Sequence, residues 1–182
     1  MIEGLLKGKS VVITGAGSGV GRAASQLFAQ HGARLIVTDV QESWLEETVA
    51  QVKAAGGEVK GVACDVTKRA DCDAAVKAAV DAYGRLDVMY NNAGIATPMK
   101  PEGGMKSFTD NTEEDIERLY AVNVKGVIFG CQAAIEQFRR CLELSPPEPI
   151  RATRWSVSQS RIAPARARPK AMERPTLGWF GG

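Results

Sequence analysis

The stretch "VVITGAGSGVGRA", Val11 to Ala23, decides how the rest of the chain is read. It begins as a β-branched run of the kind that forms a buried strand, then enters a glycine-rich turn. From Val20 to Gln30, Ala23, Ala24, Leu27 and Phe28 recur at helical spacing, and Gly32 after His31 supplies a stop. A glycine-rich turn between strand and helix lets backbone amides approach phosphate oxygens, while the helix N-terminus favours their negative charge. The spacing is not G-x-G-x-x-G, because Val20 stands five positions after Gly15; it is T-G-x-x-x-G-x-G, carried by Thr14, Gly15, Gly19 and Gly21. A glycine-rich turn without a ligand is the plain alternative.

Outward from that turn the chain alternates. "ARLIVTD" reads as a second strand, "ESWLEETVAQVKAAGG" as a helix with Trp44, Leu45, Val49 and Val52 on one face, "EVKGVACDV" as a third strand, "RADCDAAVKAAVDAYG" as a helix and "LDVMYNNAG" as a fourth strand. A polar loop follows, then a helix from about Thr112, where Asp115 three residues on suggests a capping box. Strict alternation predicts an α/β fold, a parallel sheet with helices on both faces. Four strands are visible and no fifth.

The acid at the end of the second strand, Asp39, stands 18 positions after Gly21, near the offset of the carboxylate that holds an adenosine ribose in dinucleotide-binding folds. Such a carboxylate accepts from both ribose hydroxyls and repels a 2′-phosphate, which favours NAD over NADP; Arg22 is the residue that argues the other way. Asp39 as a surface turn residue is the alternative. Asp65 in "ACDVT" follows the third strand, "NNAG" (Asn91 to Gly94) follows the fourth, and "NVKG" (Asn123 to Gly126) lies in the last helix. With these motifs in this order, roughly the first 140 residues resemble the short-chain dehydrogenase/reductase family.

That resemblance implies a Rossmann-type sheet, a nicotinamide dinucleotide, and hydride exchange between an alcohol carbon and a carbonyl. It implies a pyrophosphate site at Thr14, Gly15, Ser18, Gly19, Val20 and Gly21, the adenosine ribose at Asp39, and the adenine edge at Asp65 and Val66. Asn91, Asn92, Ala93 and Gly94 would stabilise the central sheet and line the cleft, and Asn123 would join the catalytic group, its main chain holding a water of the proton relay. Read by itself, Asn123 is a mildly unfavourable helix residue whose amide competes for backbone hydrogen bonds and can distort the helix. Gly126, Gly130 and Ala134 make a smooth face that permits helix packing, either within the subunit or in a homo-oligomer through the Asn123–Ala134 helix, the region through which the family commonly dimerises.

The family's proton donor is a tyrosine with a lysine four residues later, helped by a serine. Four residues beyond Tyr83, Tyr90 and Tyr120 stand Asp87, Gly94 and Val124, so Tyr-x-x-x-Lys is absent from the 182 residues. Serines 145, 156, 158 and 160 follow no β-branched strand and receive no catalytic role. We therefore expect an impaired oxidoreductase with its C-terminal half missing or replaced and an unpaired apolar edge on "LDVMY". The alternative is a nucleotide-binding or protein-interaction module without turnover. Phosphate-loop nucleotidases would need Gly-Lys-Ser/Thr where Gly21-Arg22-Ala23 stands, and a methyltransferase would not account for "NNAG" and "NVKG" together.

Composition marks a boundary after Arg140. Residues 1–140 hold 16 Lys and Arg against 18 Asp and Glu, the remainder 7 against 3, and six of the eight prolines lie in the remainder. We expect a dinucleotide-binding domain over 1–140 and an irregular, basic, disordered tail over 141–182. The tail has three readings: the product of a coding accident such as a frameshift, a basic tail for an acidic partner or nucleic acid using Trp155, Trp179 and Phe180, or a segment that folds on a partner. The first is favoured, so a nucleic-acid partner is not expected. Four cysteines without a C-x-x-C pair and a single histidine predict reduced thiols and no metal site. The absence of a leader-like or membrane-length apolar run predicts a soluble cytoplasmic protein that uses no membrane.

Overall fold

The computed structural model describes residues 4–97 and 103–144. Eight main elements alternate: β1 (Ser10–Thr14), α1 (Gly19–Gln30), β2 (Arg34–Asp39), α2 (Glu42–Ala54), β3 (Glu58–Ala63), α3 (Arg69–Tyr83), β4 (Val88–Tyr90) and, after a one-turn 3-10 segment at Phe108–Asp110, a helix in two parts. Those parts are α4 (Glu113–Tyr120) and α5 (Gly126–Leu144), joined without a break by a π-helical turn at Ala121–Lys125. The helix thus runs four residues past the composition change at Arg140. The readings of the tail fall otherwise on residues outside those described.

The strands are parallel in the order β3-β2-β1-β4. Register is continuous: Val11 pairs with Leu35 and Val88, Ile13 with Val37 and Tyr90, and Leu35 with Val59. Because successive strand side chains point to opposite faces, one core takes Val11, Ile13, Leu35 and Val37 against α1 and α2, while the other takes Val12 and Ile36 against α3 and α5. Both faces are covered, which is why β1 and β2 are apolar without alternation. From β1 the chain steps outward to β2 and β3, then returns to β4 on the other side of β1. That reversal opens a crevice at the carboxyl ends of β1 and β4, where an open α/β sheet binds ligands.

Two helical faces differ from expectation. On α2, Leu45 and Val52 are buried with Thr48, while Trp44 is half exposed at the crevice. On α1, the buried positions are Gly21 and Ser25, and Leu27 faces outward. Close approach to the sheet selects small residues there, and apolar periodicity does not see them. The Gly126–Gly130–Ala134 face also finds its partners inside the subunit: a Cβ on Gly126 would lie 2.8 Å from Val66 Cγ2, one on Gly130 2.0 Å from Asn91 Oδ1, and Ala134 is buried. That face is not free for a partner helix. The expected edge is present, since β4 has no neighbour beyond it among the described residues.

Candidate functional site: a dinucleotide cleft

Thr14 ends β1 fully buried, and its hydroxyl accepts from the backbone N–H groups of Asn92 and Ala93, both at 3.1 Å. The Asn92 side chain donates back to the carbonyls of Thr14 at 3.0 Å and Gly15 at 3.1 Å. These four bonds tie the loop after β4 to the loop after β1. A Cβ on Gly15 would lie 2.6 Å from Ala93 Cα, and Gly15 has φ +65°, so only glycine fits this crossing. A Cβ on Gly21 would lie 2.1 Å from the Gly15 carbonyl oxygen, which seats α1 directly on the turn.

The amino end of α1 is open. Ser18 stands at the N-cap in extended conformation without a side-chain capping bond, and the first turn carries no acidic residue. The leading amides of a helix have no partner inside the helix, so this end presents donors and positive partial charge to the crevice. Asp39, at the end of β2, braces the same turn: one carboxylate oxygen accepts from the Gly17 amide at 2.8 Å, the other from the Gln41 amide at 2.9 Å. A Cβ on Gly17 would sit 2.8 Å from that carboxylate. Arg22 is committed to the scaffold, donating to the Gly17 carbonyl and to Thr48 Oγ1 at 3.0 Å and pairing with Glu47 at 2.9 Å. Thr48 in turn donates to the Ala16 carbonyl at 2.9 Å.

The third wall is the loop after β3. Asp65 accepts from the Thr67 hydroxyl at 2.7 Å and the Thr67 amide at 3.0 Å, with Lys68 at 3.5 Å. The Thr67 hydroxyl chiefly, with its amide and Lys68, holds the Asp65 carboxyl below its ordinary range. On the far side, Asn123 projects from the π-helical turn and clasps the backbone of one residue: its Oδ1 accepts from Ile95 N and its Nδ2 donates to Ile95 O, both at 2.9 Å. The helix distorts where the Asn amide bonds to another loop, the competition expected of that side chain.

These loops enclose a cavity of about 820 Å³, within the range of small-molecule sites. Of the residues singled out from sequence, Gly15, Ser18, Gly19, Val20, Gly21, Asp39, Asp65, Val66, Asn92, Ala93 and Gly94 line it. Thr14, Asn91 and Asn123 do not. Thr14 is a buried brace, and Asn91 packs on Gly130 with its amide donating to Cys131 Sγ at 3.4 Å. Asn123 acts through Ile95. Sequence reasoning gave no site role to Gly17, Trp44, Thr67 or Arg118; of these, Gly17 inside the glycine motif and Thr67 inside "ACDVT" carried a local signal.

The described tyrosines do not replace the missing proton donor. Tyr83 is buried and donates to the Leu35 carbonyl at 3.0 Å, and burial pushes its pKa up to about 12, opposite to the tuning a general base needs. Tyr90 packs on Phe28, with ring centroids 5.9 Å apart, and Tyr120 lies on the exposed outer side of the helix. Among the described residues no cluster of His, Cys, Asp or Glu could hold a metal ion, and no helix is long and apolar enough to cross a membrane.

The short chain dehydrogenase family model matches residues 9–141. An uncharacterised oxidoreductase of Thermotoga maritima is 41% identical over 134 residues, covering 74% of this chain and 50% of that protein. Borneol dehydrogenase of Lavandula x intermedia is 42% identical over 130 residues, 71% of this chain and 46% of the relative. A short chain dehydrogenase from Mycobacterium smegmatis superimposes with a TM-score of 0.68 at 37% identity, covering 76% of this chain and 57% of that one. A short-chain dehydrogenase/reductase from Burkholderia phymatum, solved in complex with NAD, gives 0.66 at 36%, covering 75% and 46%. The chain spans about half the length of the curated relatives it matches. With a family match across nearly all of the described fold and relatives similar over about three quarters of the chain, the chain belongs to the short-chain dehydrogenases.

Proposed function

We propose that this chain binds NAD in the crevice above β1 and β4 and, as a 182-residue polypeptide, turns over alcohols or ketones poorly or not at all. The observation that carries the binding half is the uncapped end of α1 opening on the cavity beneath a turn where Gly15, Gly17 and Gly21 exclude a Cβ. In this reading the Gly19–Gly21 amides take the pyrophosphate, Asp39 the adenosine ribose, Asp65 and Val66 the adenine edge, and Asn92 to Gly94 the other wall of the cleft. Bound NAD supplies the hydride acceptor of the family's reaction.

NAD is preferred to NADP because the Asp39 charge is fixed by two backbone amides and Arg22 is already spent on Gly17, Thr48 and Glu47. A 2′-phosphate would meet the Asp39 carboxylate, with Arg22 nearby already engaged. The impairment rests on the absence of Tyr-x-x-x-Lys, with Asn123 and Ile95 left as a positioning pair without the phenol they would serve; losing a positioned acid/base costs on the order of 10²- to 10⁴-fold in rate. The runner-up is a nucleotide-binding module with no chemistry of its own.

In the same proposal residues 1–140 carry the binding domain, whose last helix extends to Leu144, and the protein works in the cytoplasm. Any homo-oligomer would use the outward side of the last helix, where Val124, Ile128 and Ile135 are exposed, since the glycine face is filled. Calorimetry with NAD and NADP, alongside NAD-dependent oxidation of a broad alcohol panel, tests the proposal. NAD binding tenfold or more tighter than NADP, without turnover, supports it; rapid turnover overturns the impairment, and no binding overturns the cofactor reading.

A further inference from the structure

Two arginines border the cleft, and they differ in one respect. Every donor direction of Arg22 toward the turn is occupied, by the Gly17 carbonyl, Thr48 and Glu47. Arg118, on the last turn of α4, is exposed and lines the cavity, and no hydrogen bond or ion pair engages its guanidinium among the described residues. Among the described residues it is also the only basic side chain lining the cavity. The two lining carboxylates do not need it, since Asp39 is held by the Gly17 and Gln41 amides and Asp65 by Thr67 and Lys68.

The backbone beneath Arg118 is not loose. Thr112 and Asp115 cap each other's amides at 3.2 and 3.0 Å, Lys106 pairs with Asp115, and five residues after Arg118 the Asn123 side chain clasps Ile95. Gly126, farther along the same helix, is pressed on Val66. Arg118 is therefore carried at the cavity wall, next to the lining residues Ala121 and Val122, by a helix whose later turn at Gly126 packs on Val66 of the loop after β3. A pinned backbone bearing an unpaired, planar, weakly hydrated cation at a cavity wall suits a group that closes on a flat ligand.

We propose that Arg118 is a ligand-binding residue that closes over the adenine end of the nucleotide, its guanidinium stacking on the purine face. This rests on the reading of the crevice as a dinucleotide site. Planarity is the working property: a guanidinium stacks on an aromatic face, whereas an ammonium presents only a charge.

The test uses the full chain and its Arg118→Met and Arg118→Lys variants, titrated with NAD and with adenosine 5′-monophosphate at low and high salt, with thermal melts to show that the exposed substitution leaves folding intact. Met should weaken both ligands about tenfold, the effect of a cation on a partly desolvated aromatic face, and Lys should restore little of it, with the loss persisting at high salt. The inference is overturned if Met binds both ligands as the parent does, or if Lys restores full affinity and the effect vanishes with salt, which would mark a purely electrostatic role. Should the parent bind NAD while the Met variant is unchanged, the cofactor reading stands and this one falls; should the parent bind neither ligand, both fall.

Discussion

Replacing Thr14 with valine removes one hydroxyl and almost no volume, and it should be among the most damaging isosteric changes in the chain. Thr14 Oγ1 is the acceptor for two amides, Asn92 N and Ala93 N, at 3.1 Å each, in a place where Thr14 itself is 1% exposed. A buried donor stranded without a partner costs about 1–3 kcal/mol. Both bonds are long and Asn92 and Ala93 are only half buried, so the lower part of the range applies, about 2–3 kcal/mol for the pair. At roughly 3 °C per kcal/mol for a domain of this size, the melting midpoint should fall by roughly 6–9 °C. Thr14→Ser keeps the acceptor and loses a buried methyl, which costs about 1 kcal/mol. Thermal and urea unfolding followed by circular dichroism read both variants. A valine variant as stable as the parent, or a serine variant as damaged as the valine one, would falsify the assignment of Thr14 as the brace between the two loops.

Gly17→Ala places a Cβ 2.8 Å from the Asp39 carboxylate and 2.9 Å from Trp44 Cβ, so Asp39 must leave the Gly17 amide; calorimetry should show NAD affinity down at least about tenfold, with about 1–3 kcal/mol lost in unfolding titrations. Asp39→Asn keeps an acceptor for that amide and removes the charge, and the NADP-to-NAD affinity ratio should rise about tenfold by competition binding; an unchanged ratio means the carboxylate does not set the preference. Asp87 is 7% exposed on its side chain, and although burial pushes its carboxyl up, the Ser10 amide at 2.9 Å with Arg85 and Lys9 outweighs that and holds it below its ordinary range. Its folded pKa being depressed, the stability it contributes, about 1–2 kcal/mol, is complete above about pH 4 and is lost as pH falls through the folded value. The gap in melting midpoint between parent and Asp87→Asn should therefore be full at pH 7 and close as pH falls through that folded value.

What could be read along the chain was whatever depends on near neighbours. The four strands, the stop at Gly32 and the Thr112–Asp115 capping box all arise from local dihedral preference, side-chain period and bonds three residues apart. The carboxylate at Asp39 was legible for the same reason, since a strand of fixed rise carries it a known distance from the glycines. The errors have a common form. Spacing puts Trp44 on one face with Leu45, Val49 and Val52, yet it is half exposed and the buried place goes to Thr48, whose hydroxyl has a buried carbonyl to reach. Leu27 was preferred to Gly21 and Ser25 because period counts apolar residues and cannot register that the helix lies too close to the turn for anything large.

The sequence by itself determined the alternation of elements, the glycine turn and the acid that closes it, and so the class of fold. Only the tertiary structure decided that Thr14 braces two loops, that Arg22 is spent and Arg118 free, and that Gly126 and Gly130 pack on Val66 and Asn91. These are questions of which loop meets which across tens of residues. Their answers follow from strand order, because placing β4 beside β1 brings the loops at residues 14 and 92 within hydrogen-bond reach, and no local preference in the chain encodes that distance.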